Sequence, residues 1–279
     1  MAVHSEPVHP IERLRYVARA SGGDQRTLVR ETAIALRGLR MEPAGLVVAC
    51  RRIIERHPTS GPLWWFCSSL LTSTDPFEQA YPLASEVEHD LTPDHLYDFI
   101  ADDATVCVVG WPDLIGDAVM RRGDVRVLAI DADDEGSAFV RRLQRADIDA
   151  EVVPPSGVAA AVVAADLVLI ETMAATPTEV LAAPASRAAA SVAWCSEVPA
   201  VLVAGRGRRL PQEFFTVMAL RLADRRVPWE SEAELVPTAL FATVAGPAGV
   251  AEASDDAARE EAFAAECGAA LELVRSSAM

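Results

Sequence analysis

Residues able to do chemistry are few in this chain, and most lie in short stretches. Gly205-Arg206-Gly207-Arg208-Arg209 sets guanidinium forks among glycines whose backbone N–H groups are open to approach, a combination that can grip a phosphate bidentately. Asp131-Ala132-Asp133-Asp134-Glu135 crowds carboxylates that could offer oxygen ligands to a divalent cation. It lacks the alternating spacing of a calcium loop, so a solvated acidic loop fits it better. Glu171 is a single acid at the end of an apolar run. Five cysteines stand singly at 50, 67, 107, 195 and 267, with no CxxC and no histidine at ligand spacing. They read as small core hydrophobes, and neither a zinc site nor a disulfide framework is expected. Trp64-Trp65-Phe66 could form an aromatic platform, but in so apolar a segment it reads as helix core. There is no lysine and no asparagine, which excludes lysine Schiff-base chemistry and a P-loop.

The elements that must position these groups repeat one pattern between Thr105 and Ala204. Short β-branched runs (Thr105–Val109, Val125–Ile130, Glu151–Val153, Leu167–Ile170 and Ala200–Val203) alternate with Ala/Leu/Arg-rich amphipathic stretches. Such alternation predicts a parallel sheet with crossover helices, which binds ligands at the carboxyl ends of its strands. Ahead of it, periodic apolar positions predict helices over Pro10–Ala20, Asp24–Arg40, Pro43–Arg56, Leu63–Leu71, Phe77–Glu88 and Pro93–Ile100. After it come a helix over Pro211–Arg221, a strand over Ala239–Val244 and an amphipathic helix over Asp255–Arg275. The expected division is a helical domain over 1–102 and an α/β domain over 103–279.

A formal charge of −16 argues against binding nucleic acid, whose phosphates would be repelled. No apolar run reaches the ~18 residues of a membrane span, and the start lacks the order of a signal peptide, so a cytoplasmic location is expected. A nicotinamide cofactor would need GxGxxG after the first strand. Gly110-Trp111-Pro112-Asp113-Leu114-Ile115-Gly116 does not supply it, and no cofactor is expected.

Three landmarks carry a family resemblance. The turn His57-Pro58-Thr59-Ser60-Gly61-Pro62-Leu63-Trp64-Trp65 is similar to an Arg-Pro-Thr…Leu-x-Trp turn closing a helical domain. Glu135-Gly136 through Leu143, Ile148 and Val153 to Ala165-Asp166-Leu167-Val168-Leu169-Ile170 resembles a Glu-Gly…Leu…Gly-Ile…Val segment followed by Ala-Asp-x-Val-Leu-Val. Val198-Pro199, then Glu234-Leu235-Val236-Pro237 leading into a last strand, matches a late Val-Pro signature. In order and spacing these resemble the initiation-factor-2B-like family, which holds the alpha/beta/delta-type subunits of translation initiation factor 2B and sugar-phosphate aldose–ketose isomerases. The resemblance implies an α/β fold of the sugar-isomerase/CoA-transferase-like kind, a helical N-terminal domain plus a Rossmann-like domain, and a homodimer.

The resemblance also implies where catalysts should stand. Gly110 falls where the isomerases carry a thiol, Cys107 lies three residues early, and only Glu171 is near the place of the family's acid. Of an Asn-Lys-x-Gly-Thr motif only the hydroxyl of Ser186 survives. Asp131 stands in the loop where an arginine is expected, and His57 replaces the first arginine of the turn, with Arg56 and Thr59 beside it. The expected ligand-binding set is Arg56, His57, Thr59, Gly110, Asp131, Ser186, Arg206 and Arg208. The implied function is a regulatory or metabolite-binding protein without isomerase activity, taking a small phosphorylated ligand. The alternatives are a divergent isomerase of ribose 1,5-bisphosphate or methylthioribose 1-phosphate using Glu171, and a purely partner-binding protein.

Overall fold

The computed structural model describes residues 24–39, 42–223 and 227–274. The helix expected over Pro10–Ala20 lies outside them. The chain forms two compact units, residues 1–89 with 267–279 and residues 90–266.

The first unit is helical: α1 (Gln25–Leu39), α2 (Pro43–Arg56), α3 (Gly61–Thr72) and α4 (Pro76–Glu88). Asp24 caps α1 by accepting from the N–H groups of Arg26 and Thr27, and Leu28, Val29, Ala33 and Leu36 give that helix its buried face. Helix α3 is buried nearly all round, from Leu63 to Leu70. Ser60 caps it, and the Trp64 indole N–H donates to the Pro58 carbonyl at 3.0 Å. The aromatic cluster is therefore core, as its apolar setting suggests, and the indole ties the turn to the helix. Residues 267–274 return to this unit: the Ser68 hydroxyl donates to the Gly268 carbonyl at 2.6 Å, and Arg51 Nε to the Glu272 carbonyl at 2.6 Å.

The second unit begins with α5 (Thr92–Phe99) and continues β1 (Thr105–Val109), α6 (Asp113–Arg122), β2 (Arg126–Ile130), α7 (Glu135–Gln144), β3 (Asp149–Val153), α8 (Val158–Ala164) and β4 (Leu167–Ala175). Then follow β5 (Glu179–Ala182), α9 (Ser186–Cys195), β6 (Ala200–Val203), α10 (Gln212–Ala223), β7 (Glu234–Pro237), β8 (Thr243–Gly246), β9 (Gly249–Glu252) and α11 (Asp256–Ala262). The nine-stranded sheet runs β3-β2-β1-β4-β6-β8-β9, with β5 and β7 leaving it from β4. Its body is parallel, as the alternation predicts, but β5, β7 and β9 pair antiparallel. The sheet is thus mixed rather than purely parallel. Alternation along the strands sends Val106, Val108, Leu167 and Leu169 toward α6 and α7, and Cys107, Val109, Val168 and Ile170 toward α8 and α9. The edge strand β3 carries exposed Asp149, Glu151 and Val152.

Three readings are corrected. The last helix stops at Ala262, well short of residue 275, and among the described residues only a short 3-10 turn at Leu271–Leu273 follows. The strand expected over Ala239–Val244 begins only at Thr243, as β8, after a 3-10 turn over Thr238–Leu240. Cys195 is exposed and Cys267 half-buried, so only Cys50, Cys67 and Cys107 behave as core.

Candidate functional site

The carboxyl ends of β1, β2, β4 and β6 are where an open α/β sheet offers a ligand its backbone and loops. At the end of β1, Gly110 has φ +64°, donates its N–H to the Ile130 carbonyl at 3.0 Å, and turns the chain away from the sheet. A Cβ at that point would lie 3.4 Å from Glu135 Oε2 and 3.6 Å from the Ala183 Cβ. The left-handed backbone favours glycine, so the position assigned to a thiol is built for a residue without one. Cys107 is inside β1 and fully buried, and burial alone pushes its thiol up to about 12. No thiolate forms there at neutral pH.

Glu171 projects from β4 on the face shared with Leu167 and Leu169, toward the start of α6. Its Oε2 accepts from the N–H groups of Leu114 at 2.8 Å and Ile115 at 3.2 Å. Its Oε1 meets Arg208 Nη2 at 2.7 Å, and both side chains are less than a tenth exposed. The other arm of Arg208 donates to the Thr172 carbonyl. Desolvation raises the Glu171 carboxyl, and the Arg208 guanidinium works against that shift. The sequence names both residues, one as acid and one as phosphate ligand. The fold brings them together and uses each on the other.

The same substitution of internal for external partners recurs around this edge. Asp131 accepts from the Ser137 N–H at 3.0 Å and its hydroxyl at 2.6 Å, which fixes the first turn of α7 and holds the carboxyl below its usual range. Glu234, on β7, accepts from the Arg187 N–H at 2.7 Å at the start of α9. Burial raises its carboxyl. Ser186 sits in that first turn, buried, with its hydroxyl unpartnered. In the Gly205–Arg209 loop, Glu266 accepts from the Gly207 N–H at 2.7 Å and pairs with Arg206 at 3.3 Å and Arg209 at 2.7 Å. Asp90 takes the Arg206 N–H at 2.6 Å.

Gly205 lets Asp90 and Leu114 approach the loop closely: a Cβ there would come within 2.4 Å of Asp90 Oδ2 and Leu114 Cδ1, and both side chains would have to shift. Trp111 sits at the mouth of β1, with its indole N–H on Asp113 at 2.9 Å, its ring edge-on to Phe139 and the Arg142 guanidinium 5.7 Å from its centre. Beside it Glu135 is raised first by burial and then by Asp133, with Asp113 and Glu232 adding to that.

Arg56, His57 and Thr59 belong to the first unit, at the end of α2 and in the turn before α3. Arg56 is exposed and the other two are half-buried. Among the described residues no group of His, Cys, Asp and Glu could hold a metal ion. The roles of Glu234, Glu266 and Asp90 have no signal in the sequence, because each is an isolated acid far along the chain from the N–H groups it binds.

No family model matches the sequence, and no curated protein matches it. Solved structures do. Translation initiation factor eIF-2B from Pyrococcus horikoshii OT3 superposes with a TM-score of 0.72 at 13% identity, covering 88% of this chain and 97% of its own. The eIF2B beta subunit from Chaetomium thermophilum gives 0.62 at 12% identity, over 96% and 92%. A chain of the tetrameric eIF2B-beta2-delta2 complex from C. thermophilum gives 0.67 at 12%, over 91% and 93%. This chain therefore has the fold of the eIF2B subunits, as its sequence resemblance implies, at 12–13% sequence identity.

Proposed function

We propose that this chain is a non-catalytic, initiation-factor-2B-like regulatory module that works by binding other protein chains, beginning with a second copy of itself. One observation carries the reading. At the carboxyl edge, the acid and the arginine that would serve a sugar phosphate are locked on each other as Glu171 and Arg208. The thiol position beside them is a left-handed glycine.

Proton transfer between adjacent sugar carbons needs two groups free to exchange protons. A carboxylate bound by two backbone N–H groups and a guanidinium is held in place. The carboxylates around Glu135 repel a phosphorylated ligand at the same edge, so the metabolite-binding role is the less favoured half of this reading.

Self-association is supported by α8 and α9, which pack side by side and hold one charged residue between them, Arg187. Val163 and Trp194 stand on them about 60% exposed. A face with a single, positive charge on so acidic a chain suits a copy of the same chain, whose charge would otherwise be repelled.

The test is a thermal-shift panel of sugar phosphates and nucleoside monophosphates beside an isomerase assay with ribose 1,5-bisphosphate and methylthioribose 1-phosphate. Unmoved melting temperatures and no product are expected. Product formation that disappears in Glu171→Gln would establish the isomerase instead, and a saturable shift without product would restore the phosphorylated ligand.

A further inference from the structure

We propose that the Glu171 carboxylate is a tethered ligand filling a small-carboxylate site, and that the site takes a free carboxylate of the same size once the tether is cut. This goes beyond the reading above and stands or falls apart from it. The site is built from two kinds of donor on two elements, the Leu114 and Ile115 N–H groups at the start of the ten-residue α6 and the guanidinium of Arg208 from the loop after β6, facing β4, which carries Glu171.

Each oxygen of the carboxylate has its own donors, Oε2 the two amides and Oε1 the guanidinium. That is how a free carboxylate would be held, and the N-terminal end of a helix adds its partial positive charge. Arg208 cannot turn to water, because its side chain is 8% exposed and its second arm is fixed on the Thr172 carbonyl. The surrounding loop is equally fixed: the Arg208 N–H donates to the Gly205 carbonyl at 3.2 Å, and the Arg208 carbonyl accepts from the Ala175 N–H at 2.7 Å. Removing Glu171 therefore leaves donors that stay in place and need an anion.

Glu171→Ala deletes a CH₂–COO⁻ fragment, which acetate replaces atom for atom. The variant should melt below wild type, and acetate should raise its melting temperature saturably, by about 3–5 °C for each tenfold excess over its Kd. Chloride at equal ionic strength should do much less, and inorganic phosphate, which is tetrahedral, should not match acetate. Wild type and Glu171→Gln should respond to acetate no more than to chloride, because their site is filled. Glu171→Ala combined with Arg208→Ala should lose the response.

If Glu171→Ala accumulates unfolded, refolding it from denaturant in acetate or in chloride makes the same comparison. Folded protein recovered in acetate alone supports the site. Equal behaviour of the variant in both salts would overturn the proposal, as would an acetate response that survives loss of Arg208. A wild-type protein that responds as strongly as the variant would overturn it too, since its site would then not be occupied from within.

Discussion

Two glutamates at the carboxyl edge differ in what surrounds them, and the difference predicts opposite responses to mutation. Glu171 has a guanidinium and two amides as partners in a buried setting. Removing one member of such a pair leaves the other charged and dry, so Arg208→Ala should cost about 3–5 kcal/mol in denaturant unfolding. Glu135, an exposed residue, has the Trp111 backbone N–H as a partner but faces Asp133, Asp113 and Glu232, and partial desolvation with that repulsion raises its carboxyl. The folded chain then binds this proton more tightly than the unfolded chain. Stability is lost as pH rises from the unfolded value of about 4.3 through the raised folded one. Glu135→Gln should melt about 1–2 °C above wild type at neutral pH, and the gap should close as pH falls below about 4. A gap that widens in acid would show that Glu135 is stabilised as a carboxylate instead.

At the scale of elements, Gly136 shows how closely α7 approaches the end of β2. A Cβ there would sit 2.8 Å from both the Asp131 Cα and the Ile130 carbonyl oxygen, which are backbone atoms and cannot swing aside. Gly136→Ala should therefore lose about 1–3 kcal/mol, read as a lower denaturation midpoint with an unchanged slope.

Much of this level is legible in the sequence. The β-branched runs at 105–109, 126–130 and 200–203 are strands, because burial on both faces demands continuous apolar residues. The β5–β7 extension is not legible: Glu179–Ala182 is short, follows Thr176-Pro177-Thr178, and is held by Thr172 at a bulge whose hydroxyl donates to the Ala174 and Leu181 carbonyls. The last helix is over-read because amphipathic spacing continues past Ala262. There Phe263 goes into the core and Glu266 is drawn to the Gly207–Arg209 backbone, contacts that no local pattern encodes. The candidate site is legible in its residues and illegible in its pairings for the same reason. Glu171 and Arg208 are both conspicuous, but only the packed sheet turns one toward the other.

For the molecule as a whole, charge and surface act together. The chain carries a formal charge of −16, and no described helix is long and apolar enough to cross a membrane. Against that acidic background the α8–α9 face, whose helices carry the single charged residue Arg187, is the surface the proposed second copy would use. Val163→Glu with Trp194→Glu should convert a dimer to a monomer in light scattering behind size exclusion, with the melting profile of the isolated chain retained. A wild-type chain that elutes as a monomer at every concentration would remove the self-association part of the proposal.

The open margin of the sheet is managed by different means. Strand β3 leaves a row of amides and carbonyls unpaired, yet it carries exposed Asp149 and Glu151, two acids that share the single Arg126 of β2 and so keep a net negative charge beside that row. An incoming strand from a like-charged neighbour would have to bring its own acids against these two. Concentrated solutions of this protein should thus resist growth of fibres by edge-to-edge stacking, and should lose that resistance first in acid or high salt, where the carboxylates are neutralised or screened.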